Sequence, residues 1–313
     1  MPNGWDGLLD PPFATRLAQI DAASENRPQD SSEECHLTRK EGQQPHCLYG
    51  NPLASRRVAL FGDSHAQHWF AAMNSGAKRA GWQLLAWTKA GCSPASMSSD
   101  VFQGRHQNYI ECERWREGVL KTLTESEIPD LVLMSSYVNR EDLDLYDRRT
   151  GRRLSQSEGQ RAWQEGFRQT IDKLVAAGAR VVVIRDIPPT DKDYKICLLK
   201  GLPCVVPRAQ ALTYRAIDAE VAREFDPRVT LLDLTDRFCD AKGCAPMRDG
   251  IIVYRDDDHM TSTYAVTFAP EIATLLRGFE QGSGQSERKA PPWRSSRAPQ
   301  SPMDRPMTAN VPL

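Results

Sequence analysis

From Arg57 onward the chain alternates short aliphatic runs with longer stretches in which apolar residues recur every three or four positions. The runs at 57–62, 82–87, 130–135, 180–186 and 229–233 have the length and side chains of buried strands. Between them the 3.6-residue periodicity predicts helices over 65–80, 107–126, 157–177 and 208–224, followed by a last helix over 262–278. Five strands alternating with helices predict an α/β domain whose five-stranded, mainly parallel sheet is covered on both faces. In such sheets ligands gather at the carboxyl ends of the strands.

The two ends of the chain read differently. Residues 1–54 are rich in Pro, Asn, Gln, Ser and charge and have little periodicity. They are expected to form an irregular N-terminal extension, with a short helix at Phe13–Ile20. Residues 55–279 form the regular core. After 280 the composition shifts to Gly, Ser, Arg, Gln and Pro, as in Arg288-Lys289-Ala290-Pro291-Pro292-Trp293-Arg294. Such a tail cannot bury enough apolar area to offset ordering entropy, so 280–313 is expected to be disordered.

Composition narrows the function. Forty Lys and Arg against 41 Asp and Glu leave a net charge of -1, which gives no global field for nucleic acid or an anionic membrane. A neutral or weakly charged substrate fits better. No apolar stretch approaches the length that crosses a bilayer, and residues 1–30 lack the basic start and apolar middle of a signal peptide. The eight cysteines fall as near neighbours, Cys35/Cys47, Cys92/Cys112, Cys197/Cys204 and Cys239/Cys244. That pattern suits disulfides in an oxidising compartment, and the absence of a Cys-x-x-Cys pair argues against zinc. An exported chain without an export signal is expected to be part of a longer membrane protein or to have a misplaced start.

Candidate chemistry sits at two places. Val58-Ala59-Leu60-Phe61-Gly62-Asp63-Ser64-His65-Ala66 reads as a strand, a tight turn and a helix start, which sets the Ser64 hydroxyl near free backbone N–H groups. Far along the chain, Asp256-Asp257-Asp258-His259-Met260-Thr261 supplies a histidine with an acid three residues earlier. Asp256 can accept the Nδ1–H of His259 while Nε2 faces a serine. Asp257 and Asp258 are rivals for that place. Asp63 is expected to satisfy local N–H groups, and His65 and His68 to wall the pocket or cap the helix. No metal site is expected.

The pair Phe61-Gly62-Asp63-Ser64-His65-Ala66 and Asp256-Asp257-Asp258-His259-Met260-Thr261 resembles the first and last motifs of SGNH (GDSL-type) esterases and acyltransferases. With Lys89-Ala90-Gly91-Cys92-Ser93-Pro94, it is similar to the SGNH domains that work with membrane acyltransferase-3 proteins to O-acetylate bacterial surface polysaccharides. The resemblance implies a three-layer α/β/α, flavodoxin-like fold and a Ser64, His259, Asp256 triad. It implies oxyanion donors from the Ser64 and Gly91 N–H groups. The family's Asn after the third strand is replaced by Tyr137, with Asn139 two residues later as the remaining candidate.

Three functions follow as expectations. The first is an O-acyltransferase, of acetyl groups in the first instance, with no bound cofactor. It would take its acyl group from a membrane acyltransferase-3 domain, in the same longer chain or separate, and give it to a periplasmic or surface glycan. The second is a secreted carbohydrate esterase with the same triad. The third is a glycan-binding module that keeps only the fold.

Overall fold

The computed structural model describes residues 11–28, 35–97, 101–103, 109–138, 145–191, 193–213, 216–225 and 227–281. Its strands in chain order are β1 His36–Leu37, β2 Leu48–Gly50, β3 Arg57–Gly62, β4 Gln83–Lys89, β5 Val101–Gln103, β6 Leu131–Ser135, β7 Leu145–Asp147, β8 Arg180–Ile184, β9 Val229–Leu232, β10 Met247–Arg248 and β11 Ile251–Ile252. The central sheet runs β1-β4-β3-β6-β8-β9, with β2 added antiparallel on β4; every other pairing in it is parallel. β5/β7 and β10/β11 are separate antiparallel ribbons.

The expected five parallel strands are present, in the flavodoxin-like order, and the sheet has seven strands instead of five. The additional two, β1 and β2, come from the segment read as irregular. They are only two and three residues long, too short to carry a period. The 35–47 disulfide ties them together beside β4. That segment also holds α1, Pro11–Ser24, longer than the short helix expected there.

Helices cover both faces. α2 Ser64–Gln67, α3 Phe70–Ala80, α10 Ser262–Ala265 and α11 Ala269–Gln281 lie on one side of the chain's periodic core; α4 Ile110–Lys121, α5 Gln156–Ala176 and α8 Ile217–Glu224 contribute to the other. Along β3, Ala59 and Phe61 pack with Trp87, Trp115, Trp163 and Phe167 in a single apolar cluster. Trp69, Trp82, Trp87, Trp115 and Trp163 are all buried, as their periodic positions imply.

Two predicted helices are divided. The segment 65–80 becomes α2 and α3, because the Trp69 N–H reaches back to Ala66 O, an i to i−3 step that breaks the α ladder. The segment 208–224 becomes α7 Arg208–Ala211 and α8, flanked by the short α6 Tyr194–Leu199 and α9 Thr235–Phe238. The chain divides into two units, Met1–Arg277 and Gly278–Leu313, and all residues of the candidate site belong to the first. The expected tail beyond Gln281 and the candidate Asn139 lie outside the described residues.

Candidate active site

β3 delivers Ser64 to the point where the sheet order turns, between β4 and β6. Gly62 pairs with Thr88 on one side and Ser135 on the other. A Cβ at Gly62 would collide with the Ser135 carbonyl oxygen and press on the Ala66 side chain, so only glycine fits where the chain turns into α2. Asp63, buried, caps α2 by accepting the His65 N–H at 2.8 Å. It also accepts the Ser136 hydroxyl at 2.8 Å and the Tyr137 N–H at 3.0 Å, fastening the β6 loop to the serine turn. Burial pushes the Asp63 carboxyl up, and these donors act against that shift. As the first residue of α2, Ser64 keeps its N–H outside the helical ladder.

The histidine arrives on a closed loop. Arg255 N–H donates to His259 O at 3.0 Å and Thr261 N–H to Val253 O at 2.8 Å, while Tyr254 hydrogen-bonds through its hydroxyl to Pro188 O. Inside that loop Asp256 accepts the N–H groups of Asp258 and His259, a local turn built on one carboxylate. Thr261 then caps α10.

These two segments, 195 positions apart, meet: His259 Nε2 lies 2.8 Å from Ser64 Oγ. His259 Nδ1 stands 2.9 and 3.0 Å from the two Asp256 oxygens. A second acid shares it, with Asp258 Oδ1 at 2.7 Å. Ser64 is half-buried and His259 keeps 19% of its side chain exposed, so the pair is open to a small reactant. Burial disfavours the charged ring, but the hydrogen bonds to Asp256 and Asp258 overcome it and the imidazole is pushed up to about 9. Burial likewise opposes ionisation of both acids, and the His259 ring holds both carboxyls below the usual range.

A second imidazole and carboxylate pair lies beneath the first. His65 Nδ1–H donates to Asp186 Oδ1 at 2.6 Å, both groups being buried, and the His65 ring centre is 4.9 Å from that of His259. Asp186 also accepts the Val138 and Ile187 N–H groups, joining the loops after β6 and β8. Its own N–H donates to Asp218, whose carboxyl is pushed up to about 7 by burial and by Asp186. His65 is therefore a buried tie between three strand ends. His68 is fully buried, its ring 4.9 Å from His65, and among the described residues neither of its nitrogens has a hydrogen-bond partner.

Gly91 lies in the turn after β4, at φ 61° and against Arg39. The cysteines pair as Cys35–Cys47, Cys92–Cys112, Cys197–Cys204 and Cys239–Cys244. Among the described residues the groups close enough to share a metal ion are His65 with Asp258 and His259, and Asp256 with Asp257 and Asp258. Asp258 and His259 already engage one another. Sequence reasoning offered Asp258 only as a rival of Asp256 and not as a second partner of the ring beside it, and it missed Asp186, which no local motif marks.

A family model described as the SGNH domain (fused to AT3 domains) matches residues 34–274. The chain belongs to this family. Comparison with curated proteins returns no match. Among solved structures, this SGNH domain is similar to the lipopolysaccharide acetyltransferase periplasmic domain of Salmonella ser. Paratyphi A, with 16% identity and a TM-score of 0.49 over 72% of this chain and 85% of that one. It is also similar to a carbohydrate acetylesterase family member from Sinorhizobium meliloti, with 12% identity and a TM-score of 0.43 over 72% of this chain and 98% of that one.

Proposed function

We propose that this SGNH domain is a serine-dependent O-acyltransferase that moves an acyl group, acetyl in the first instance, through a Ser64 ester to a glycan hydroxyl. The observation that carries the reading is the 2.8 Å contact between Ser64 Oγ and His259 Nε2, with carboxylates on the opposite ring nitrogen. His259 takes the Ser64 proton as the oxygen attacks the donor carbonyl, and returns it to the leaving group. The Ser64 N–H is the first donor to the tetrahedral oxyanion; Gly91 is the candidate for a second. In the second half the same ring draws the proton from an acceptor hydroxyl, which attacks the acyl-serine and frees Ser64.

The acyl donor is proposed to be a membrane acyltransferase-3 domain, in keeping with a family described as fused to such domains. Four disulfides support an extracytoplasmic site of action, since reducing compartments rarely keep such a set. No described helix is long and apolar enough to cross a membrane. Transfer is tested by acylating the protein with p-nitrophenyl acetate in the presence of an oligosaccharide and weighing the sugar. A mass gain of one acetyl group supports transfer; free acetate alone makes the protein an esterase.

A further inference from the structure

The loop that presents His259 ends where α10 begins, and the first N–H groups of a helix have no partner inside it. Thr261 Oγ1 takes the Tyr264 N–H at 3.2 Å. The two N–H groups before it are met from the other end of the chain: Ser262 donates to Asn26 O at 3.1 Å and Thr263 to Asn26 Oδ1 at 2.8 Å. One residue, 237 positions before Thr263, thus closes the far end of the histidine loop.

Asn26 is itself held. It follows α1, and its N–H donates to Ala23 O at 3.1 Å, carrying the chain round in a turn at the helix end. α1 packs against α6 and β11. Arg16 Nε donates to Leu199 O at 2.8 Å, and Lys195 Nζ to Ser24 Oγ at 2.8 Å. α6 in turn grips the near end of the same loop, since the buried Tyr194 donates its hydroxyl to Tyr254 O at 2.8 Å. The loop is held by Tyr194 just before Asp256 and by Asn26 just after His259, and α1 ties the two holds together.

Two open pockets, of about 240 and 430 Å³, are both lined by Asn26 and Thr263. With open space beside it, this junction depends on its hydrogen bonds more than on packing. The match to the family model begins at residue 34, so α1 and Asn26 lie ahead of the matched residues. A segment outside them therefore reaches the loop that carries the catalytic base.

We infer that Asn26 is a positioning residue for His259: by accepting the Ser262 and Thr263 N–H groups it fixes the loop end that sets the imidazole against Ser64. The inference rests on the reading of His259 as the base in acyl transfer. Asn26 acts through the loop and not on the reacting atoms, so its loss should slow the chemical step and spare substrate binding.

Asn26→Ala removes Oδ1 and leaves the backbone carbonyl in place. In the full chain it should lower kcat on p-nitrophenyl acetate about ten- to a hundredfold, with KM changed by less than about threefold. Asn26→Asp, which keeps an acceptor at Oδ1, should restore most of the rate. Both variants should melt within about 5 °C of the parent. Amide hydrogen exchange, read residue by residue, gives a second measurement that needs no turnover. The His259 N–H, donated to Asp256, and the Thr261 N–H, donated to Val253, should exchange at least about tenfold faster in Asn26→Ala, with β3 and β6 unchanged. Wild-type kcat in Asn26→Ala, or faster exchange confined to Thr263, overturns the inference. So does an Asn26→Asp variant as slow as Asn26→Ala. If the parent protein turns nothing over, the acyl-transfer reading fails, and exchange at His259 alone decides whether Asn26 holds the loop.

Discussion

Asp258 Oδ1 lies 2.7 Å from His259 Nδ1, on the nitrogen that Asp256 also serves. The ring therefore has two carboxylates behind it. Removing one should leave the other to hold the tautomer and stabilise the imidazolium. We expect Asp256→Asn and Asp258→Asn each to lose about ten- to a hundredfold in kcat/KM on p-nitrophenyl acetate. The double variant should approach the roughly 10⁴-fold loss seen when a triad acid is removed outright. A full loss from Asp256→Asn alone would show that Asp258 gives the ring no support.

The same pair of acids sets the pH dependence. His259 is a base only when unprotonated, and its imidazole is pushed up to about 9. Acylation should therefore rise with pH through an inflection near 9, well above the ordinary histidine range. In Asp258→Asn the inflection should move down, because a carboxylate that favours the imidazolium is gone. A wild-type inflection near 6.5 would contradict this electrostatic account.

The His65 and Asp186 pair should matter through structure. Both side chains are buried, and Asp186 gathers three donors from separate segments. Removing one partner strands the rest, so Asp186→Ala should cost about 3 to 5 kcal/mol of stability, measurable by urea unfolding. A change below about 1 kcal/mol would mean that the tie carries little.

The serine turn has little tolerance. Gly62→Ala places a methyl against the Ser135 carbonyl oxygen, with the Ala66 side chain also close by. The β3 to β6 register or the Ser64 turn must shift, so the variant should be destabilised by more than about 2 kcal/mol and should lose activity along with it. Circular dichroism melts alongside turnover would detect both; wild-type values in both would refute the packing argument.

The sequence made Ser64, Asp256 and His259 legible because each sits in a local motif whose backbone builds its own turn: Asp63 caps α2, and Asp256 closes the loop on His259 N–H. Four of the five parallel strands were legible because burial on both faces makes them continuous apolar runs, while the edge strand β9 is only partly buried. Asp186 was not, since its meaning comes from His65, 121 residues away, through a pairing that only the β3-β6-β8 order creates. β1 and β2 escaped notice because they are stabilised by the edge of β4 and not by any pattern of their own. The burial of Arg255 was hidden for the same reason: an arginine in an acid-rich loop reads as solvated until its surroundings are known.

The central claim is that Ser64 and His259 act as one catalytic unit, and a double-mutant cycle tests it directly. Turnover of p-nitrophenyl acetate is compared among wild type, Ser64→Ala, His259→Ala and the double variant, each confirmed as folded. The account predicts that either single change abolishes turnover by several orders of magnitude and that the second change adds almost nothing. Substantial activity in both single variants would contradict it.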